Sequence, residues 1–361
     1  MNLVIYGAQS IALGAYEAIH NLYPLREVKC FLVTSQGDNA SSLRGIPVVE
    51  LKTFAGTLTQ SEKDETEVLI ATPENVMPEI EAGLDACGLY CHVRLISTRW
   101  AQLMSYHYAA GRKFLPLGSL PVGYHEAKLY IFMAKFYKDK PLSADYHIPE
   151  WITPIQVGAA LCEERVADIL DCDGENISVK NVNYSELTAL YWIWKNCLVP
   201  DGSNDEYEFY GLSHYRRVLE LSEDDRMRLV DNEVDVVLPY PMPYEPNIGM
   251  HHQRYLADCD WDALVTALTE LQPKYADYLP QVLQQQYLYH YNIILARKNV
   301  LADYCEWLFP ILERVEDLSV PKGCDRQDRY IGYMGETLTT LYFMRNKDKL
   351  NIAYAGCRFL T

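Results

Sequence analysis

The sequence is short of positive charge, of long apolar runs and of paired cysteines, and each shortage excludes something. Thirty-two Lys and Arg stand against 49 Asp and Glu in 361 residues, a net charge of -17. A field of that sign repels nucleic acid and anionic lipid, so no nucleic-acid partner is expected, and any phosphate ligand must be met by cations gathered locally. No apolar stretch approaches the roughly 18 to 20 residues that cross a bilayer. The opening MNLVIYGAQS has neither the basic n-region nor the cleavage site of a signal peptide, so a cytoplasmic location is expected. The ten cysteines include no C-x-x-C and one close pair, Cys87 and Cys91, which argues for reduced thiols, with zinc as the alternative. Repeats and low-complexity tracts are also missing. What is plentiful is apolar and aromatic: 49% hydrophobic residues, with 28 Tyr and 6 Trp, enough for two cores.

The segment NLVIYGAQSIALGAYEAIHNLYP reads as a buried strand from Leu3 to Tyr6, a Gly-containing turn and an amphipathic helix. Apolar runs at Cys30 and Glu67 end in turn residues, and Gly45 to Val49 is a short extended piece between them. Residues 1–118 therefore predict a Rossmann-like α/β domain with a parallel sheet. The Gly/Pro-rich stretch from Pro116 to Ala127 predicts a linker, taken as 119–127, at which the halves would separate. Residues 128–361 then form a second domain. Before Lys128 there are 9 basic and 13 acidic residues, and from it onward 23 and 36, so the acidity belongs mainly to the second domain. Its pattern predicts helices at Tyr184–Asn196, Trp261–Leu271, Val300–Val315 and Gln327–Arg345, and strands at Lys128–Lys135, Phe209–Leu212, Val234–Leu238 and Tyr291–Ala296.

A dinucleotide fingerprint needs G-x-G-x-x-G, the second Gly letting the pyrophosphate approach the backbone. The matching positions here are Gly7, Gln9 and Ala12, so NAD is expected to bind weakly or not at all. In wording this half resembles the small nucleotide-binding-like domains that precede some bacterial sugar-modifying enzymes, through VIYGAQS, GIPVVEL and VLIATP. No site residues are carried over from that resemblance.

The second domain carries the chemistry. His214-Tyr215-Arg216-Arg217 follows an apolar strand, so these side chains sit at a strand's carboxyl end, where open α/β sheets place ligands. Adjacent arginines suit a diphosphate, because each guanidinium presents a fixed fork of donors; pairing with surface carboxylates is the plainer alternative. Glu336, in GYMGETL, shares a helix face with Arg329 and Tyr333, and Asp328 stands nearby in sequence. Either could act as a general base or simply pair with an arginine. Rings at Tyr191-Trp192-x-Trp194 and Tyr287 to Tyr291 read first as core and second as sugar platforms. His251, His252 and His290 lack carboxylates at ligand spacing, which favours an acceptor-site or solvated role over metal.

The segments IQVGAALCEERV, DCDGENISVKNVNYSELTALYWIWKN, FYGLSHYRRVL, VDVVLPYP, YNIILARKNVLADYCEWLF and DRYIGYMGETL, spanning about 155 to 345, resemble a bacterial family of capsule and exopolysaccharide glycosyltransferases. That family is GT-A-like, is known chiefly as a domain of unknown function, and includes galactofuranosyl transfer among its activities. The resemblance implies an inverting enzyme using a UDP-sugar donor and an oligosaccharide or lipid-linked acceptor, peripherally associated with the membrane. It also implies that Gln156, Gly158, Asp171, Asn176 and Ser178 line the donor pocket with His214, Arg216 and Arg217, and that Glu336 stands at the acidic position of the family's corresponding helix. The family shows two adjacent acids where this chain has Asp171-Cys172. Many GT-A enzymes end the central strand in Asp-x-Asp to hold a metal, whereas here the stretch reads Ser213 to Arg217. Guanidinium charge would then replace the metal at the departing UDP, with Mn²⁺ or Mg²⁺ as the alternative. Asp-x-Asp at Asp171 to Asp173, Asp258 to Asp260 and Asp260 to Asp262 is weak evidence in so acidic a chain. Two other functions remain open: an NAD-dependent sugar oxidoreductase, and an inactive carbohydrate-binding assembly protein.

Overall fold

The computed structural model describes residues 2–198, 207–252 and 255–360. It is a mixed α/β structure built on two main sheets. The first has six strands: β1 (Asn2–Tyr6), β2 (Val28–Val33), β3 (Ser42–Leu43), β4 (Ile46–Glu50), β5 (Thr66–Ile70) and β6 (His92–Arg94), in the order β3-β4-β2-β1-β5-β6. All pairs are parallel except β3 with β4. Parallel strands covered on both faces need apolar side chains on both, which is why Leu3 to Tyr6 is a continuous buried run. Helix α1 (Ser10–Leu22) leaves β1 through Gly7. Its φ of +124° and the 2.5 Å that would separate a Cβ from the Ala71 carbonyl oxygen require glycine there.

The second sheet has nine strands. Seven follow the order β16-β12-β15-β10-β7-β8-β9, namely β7 (Lys128–Lys135), β8 (Ile152–Gln156), β9 (Ile169–Leu170), β10 (Glu208–His214), β12 (Val236–Pro239), β15 (Ile294–Arg297) and β16 (Ile352–Ala355). β11 (Arg217–Leu219) folds back on β10 and pairs with β17 (Cys357–Phe359). A two-stranded piece joins β13 (Met242–Pro243) to β14 (Tyr287–Leu288). Strand β10 runs parallel to β7 and antiparallel to β15, so it lies inside the sheet, and its Phe209 and Leu212 are fully buried.

Helices α2 (Ser97–Gly111), α3 (Leu187–Cys197), α4 (Asp258–Leu271), α5 (Lys298–Leu318) and α6 (Tyr330–Asn346) cover the sheets. One buried apolar cluster runs through both halves, from Leu3, Leu13 and Trp100 to Leu212, Tyr304 and Leu338. The first half reaches the second through α1 against β13 and α2 against β17. The Tyr108 hydroxyl donates to the Pro241 carbonyl at 3.0 Å. The stretch between the sheets is itself held: Leu117 is buried, Arg228 donates to the Leu120 carbonyl and Asn232 to that of Pro121. No helix among the described residues is long and apolar enough to cross a membrane.

Candidate active site

Where β10 ends, the chain turns through Tyr215 and Arg216 into β11, and this corner faces the segment that precedes β15. In that segment Tyr291 and Asn292 take φ of +69° and +50°. Such backbone is costly for non-glycine residues and persists where surrounding contacts hold it. Here the contacts are polar. His214 donates from Nε2 to the Tyr291 carbonyl at 2.6 Å, and the Tyr291 N–H donates to Glu336 Oε1 at 2.9 Å. Asn292 Nδ2 donates to Glu186 Oε1 at 2.7 Å and to the Gly332 carbonyl at 3.1 Å.

Two carboxylates thus meet one strained segment. Glu186 is buried just before α3, with His214 Nε2 at 3.8 Å and Arg329 Nη2 at 3.7 Å. Glu336 projects from α6 and is half-buried. Burial raises its pKa to about 7; the Tyr291 N–H opposes this, the charge of Glu186 adds to it, and Arg329 and Arg217 oppose it further. Burial also lowers the pKa of His214, which favours neutral imidazole. Beside them Tyr244, His251, Tyr255 and Tyr333 form a chain of rings, with centroids 3.8, 5.0 and 5.2 Å apart in turn.

The two arginines diverge. Arg217 lies over the Tyr291 ring at 4.0 Å and the Phe359 ring at 5.1 Å, and among the described residues it has no ion pair. Arg216 turns to the Lys140 and Pro141 carbonyls, at 3.4 and 3.5 Å, and its buried Nε has no hydrogen-bond partner among the described residues. Arg216 belongs to the turn and Arg217 opens β11, so adjacency in sequence does not make a two-armed clamp. Asp328 is exposed and doubly bonded to Arg326, which lowers its pKa. Arg326 also grips the buried Asp260 with two bonds of 2.5 and 2.8 Å.

The polar residues around β8 are turned inward. Asp171 is fully buried and accepts from the Gly158 N–H (2.8 Å), the Ala159 N–H (3.0 Å), Ser178 Oγ (2.5 Å) and Thr188 Oγ1 (2.7 Å). Ser178 Oγ in turn accepts from the Ala160 N–H. Gln156 ties down 162–166 by donating to the Glu164 carbonyl and accepting from the Val166 N–H. Asn176 closes its own turn on the Cys172 and Gly174 carbonyls. Their hydrogen bonds are made within the protein, so the loop's shape, rather than these side chains' free valences, is what it presents.

Other sequence candidates also found partners. Trp194 stacks on Phe309 at 5.4 Å, and the Trp192 indole donates to the Asp173 carbonyl. His252 is buried rather than solvated: it stacks on Trp261 and shares a 3.0 Å hydrogen bond with the Thr337 hydroxyl, and burial takes its pKa down to about 3. His290 is also buried and stands beside Tyr291. Gln9 donates to Asn39 Oδ1 at 2.9 Å. Sequence reasoning passed over Glu186 and Asn292; the one available signal was an acid directly before a strongly apolar helix.

Residues 137–347, well over half of the chain, match the family described as a domain of unknown function, DUF4422, and the chain belongs to that family. The fold is shared with the apo structure of WbbM, a bifunctional glycosyltransferase: TM-score 0.53 and 24% identity, over 65% of this chain and 45% of that one. This chain therefore spans less than half the length of that protein. No curated protein matches the sequence.

Proposed function

We propose that the protein is an inverting glycosyltransferase of bacterial surface polysaccharide synthesis, transferring a sugar, with galactofuranose the first to test, from a UDP-sugar to a glycan or lipid-linked acceptor. In this reading the second sheet is GT-A-like and the first is Rossmann-like. The observation that carries it is Glu336: a half-buried carboxyl whose pKa stands near neutrality, beside a second carboxylate and within the influence of Arg217 and Arg329. A general base is most effective when its pKa lies near the working pH. Ionised Glu336 takes the proton of the acceptor hydroxyl while that oxygen bonds to the anomeric carbon. The bond from that carbon to the UDP oxygen breaks, and its electron pair leaves with UDP.

Arg217 is the cation best placed for the diphosphate, since among the described residues no carboxylate lies within ion-pair distance of it. Arg216 supports the corner from the other side. The shared fold with a glycosyltransferase supports the class of reaction. The deciding experiment is UDP release from UDP-galactofuranose and UDP-galactose in EDTA. Turnover should persist without added metal. If EDTA abolishes it and Mn²⁺ restores it, a metal does the work assigned to the guanidinium. If neither donor is turned over in either condition, the transferase reading fails for those donors.

A further inference from the structure

A groove of about 1320 Å³ runs between the end of α2, the short helix Leu279–Gln284, the end of α6 and β16. Glu186, Arg217 and Glu336 do not line it, so it is a place apart from the candidate active site. The two share one segment of chain, since Tyr287 and Tyr289 line the groove and the Tyr291 N–H holds Glu336. Clefts that enclose a drug-sized ligand have volumes of about 300 to 1,000 Å³, so this one has room for an oligomer.

The sign of its lining is the reverse of the molecule's. The whole chain carries 49 acidic to 32 basic residues, whereas the groove sets Arg112, Lys113 and Lys347 against Asp348 alone. Among the described residues the side chains of Arg112 and Lys347 make no ion pair or hydrogen bond, and Lys113 Nζ rests over the Tyr287 ring at 3.9 Å with no carboxylate in ion-pair range. Arg112 and Lys113 follow α2 and Lys347 follows α6, so the charges come from two different walls. A cation past a helix C-terminus suits the helix dipole, but that does not require the two helix ends to converge on one trough. The groove also carries neutral groups that make no hydrogen bond among the described residues, the Gln281 and Gln284 amides and the Tyr278 hydroxyl. Amides and a phenol both donate and accept, as sugar hydroxyls do, while guanidinium and ammonium only donate and suit carboxylates. A chain that offers hydroxyls and a carboxylate at successive units is an oligosaccharide of uronic acids. A polyphosphate only accepts, so it would satisfy the cations and leave the amide oxygens unmet.

We infer that this groove is a second carbohydrate site, which holds a stretch of acidic oligosaccharide through Arg112, Lys113 and Lys347 and its hydroxyls through Gln281, Gln284 and Tyr278. The test is calorimetric titration of the full chain with three acidic probes (tetragalacturonate, tetramannuronate and a hyaluronan tetrasaccharide), with neutral maltotetraose and with tripolyphosphate. At least one acidic tetrasaccharide should bind, more tightly than maltotetraose or tripolyphosphate, and saturating UDP should not displace it. Arg112→Gln with Lys347→Gln should weaken it about ten-fold, the scale of two exposed charge contacts, and should remove most of the preference over maltotetraose. Gln281→Ala with Gln284→Ala should weaken the acidic probe and leave UDP affinity unchanged. All four positions are exposed, so these variants should melt as the wild type does. The inference is overturned if no acidic tetrasaccharide binds, if tripolyphosphate binds as tightly, if the charge variant binds as the wild type does, or if UDP displaces the probe. The site does not depend on the transferase reading: the expected binding in a protein that turns over no UDP-sugar would uphold the groove and sink that reading.

Discussion

At the scale of single residues, Glu336 is where burial, a like charge and one hydrogen bond combine. As a base it must be ionised, so with a pKa near 7 turnover should fall as the pH drops below about 7, where an ordinary carboxylate would remain active. Glu186→Gln removes a charge that raises this pKa, so the acid limb of the pH–rate profile should move downward; an unmoved limb would detach Glu186 from Glu336. Glu336→Gln should lower transfer by about 10² to 10⁴ with UDP affinity retained. Asp328→Asn should cost far less, since that exposed carboxylate is occupied by Arg326. Stability follows the same proton. The folded pKa stands above the ordinary 4.5, so the stabilisation is fully present below pH 4.5 and is lost as pH rises through 7. The permanently neutral Glu336→Gln should therefore melt higher than wild type above pH 7 and alongside it near pH 4.

At the scale of elements, the loop from Gln156 to Ser178 is organised around one buried carboxylate. Asp171→Ala would strip the acceptor from two backbone N–H groups and two hydroxyls, and at about 1 to 3 kcal/mol for each buried group left unpaired, a loss of about 3 kcal/mol or more is expected in urea unfolding. Unchanged stability with lost UDP affinity would make Asp171 a donor ligand instead. Gly158→Ala should cost about 1 to 2 kcal/mol, because φ is +63° and a Cβ would stand 2.9 Å from Asn181 Oδ1. Elements were readable where periodicity ran unbroken, as in α4, whose buried Ala263, Leu264, Ala267 and Leu268 spell the helical repeat up to the expected end at Leu271, although the helix starts at Asp258 and not Trp261. They were misread where the backbone leaves the regular regions. Ser185 takes a φ of +51°, so α3 starts at Leu187 and not Tyr184, which leaves Glu186 free to enter the site. Tyr291 and Asn292 do the same before β15, which begins at Ile294.

At the scale of the whole molecule, the two sheets share a core. The Gly/Pro-rich stretch from Pro116 to Ala127 suggested two separable halves, yet Trp100, Met104 and Tyr108 of α2 belong to the same buried cluster as Leu238, Tyr240 and Met242. Full-chain unfolding should therefore be a single transition, and residues 128–361 alone should be less stable than within the full chain, having exposed the apolar surface that α1 and α2 cover. Two well-separated urea transitions, or an isolated second half as stable as the whole, would show instead that each half stands by itself.

The sequence alone determined the strands that are buried on both faces, the helices with unbroken periodicity, the mismatch of Gln9 to a dinucleotide fingerprint, and the corner that carries His214 to Arg217. Each of these is a local matter of side-chain apolarity, spacing or size. Tertiary structure alone decided that Arg216 and Arg217 part company, that Asp171 spends its oxygens inside the loop, and that Glu186 comes to stand near Glu336 across 150 residues of chain. A polar side chain's role depends on which donors and charges the fold brings to it, and those partners are distant in sequence and leave no period in it.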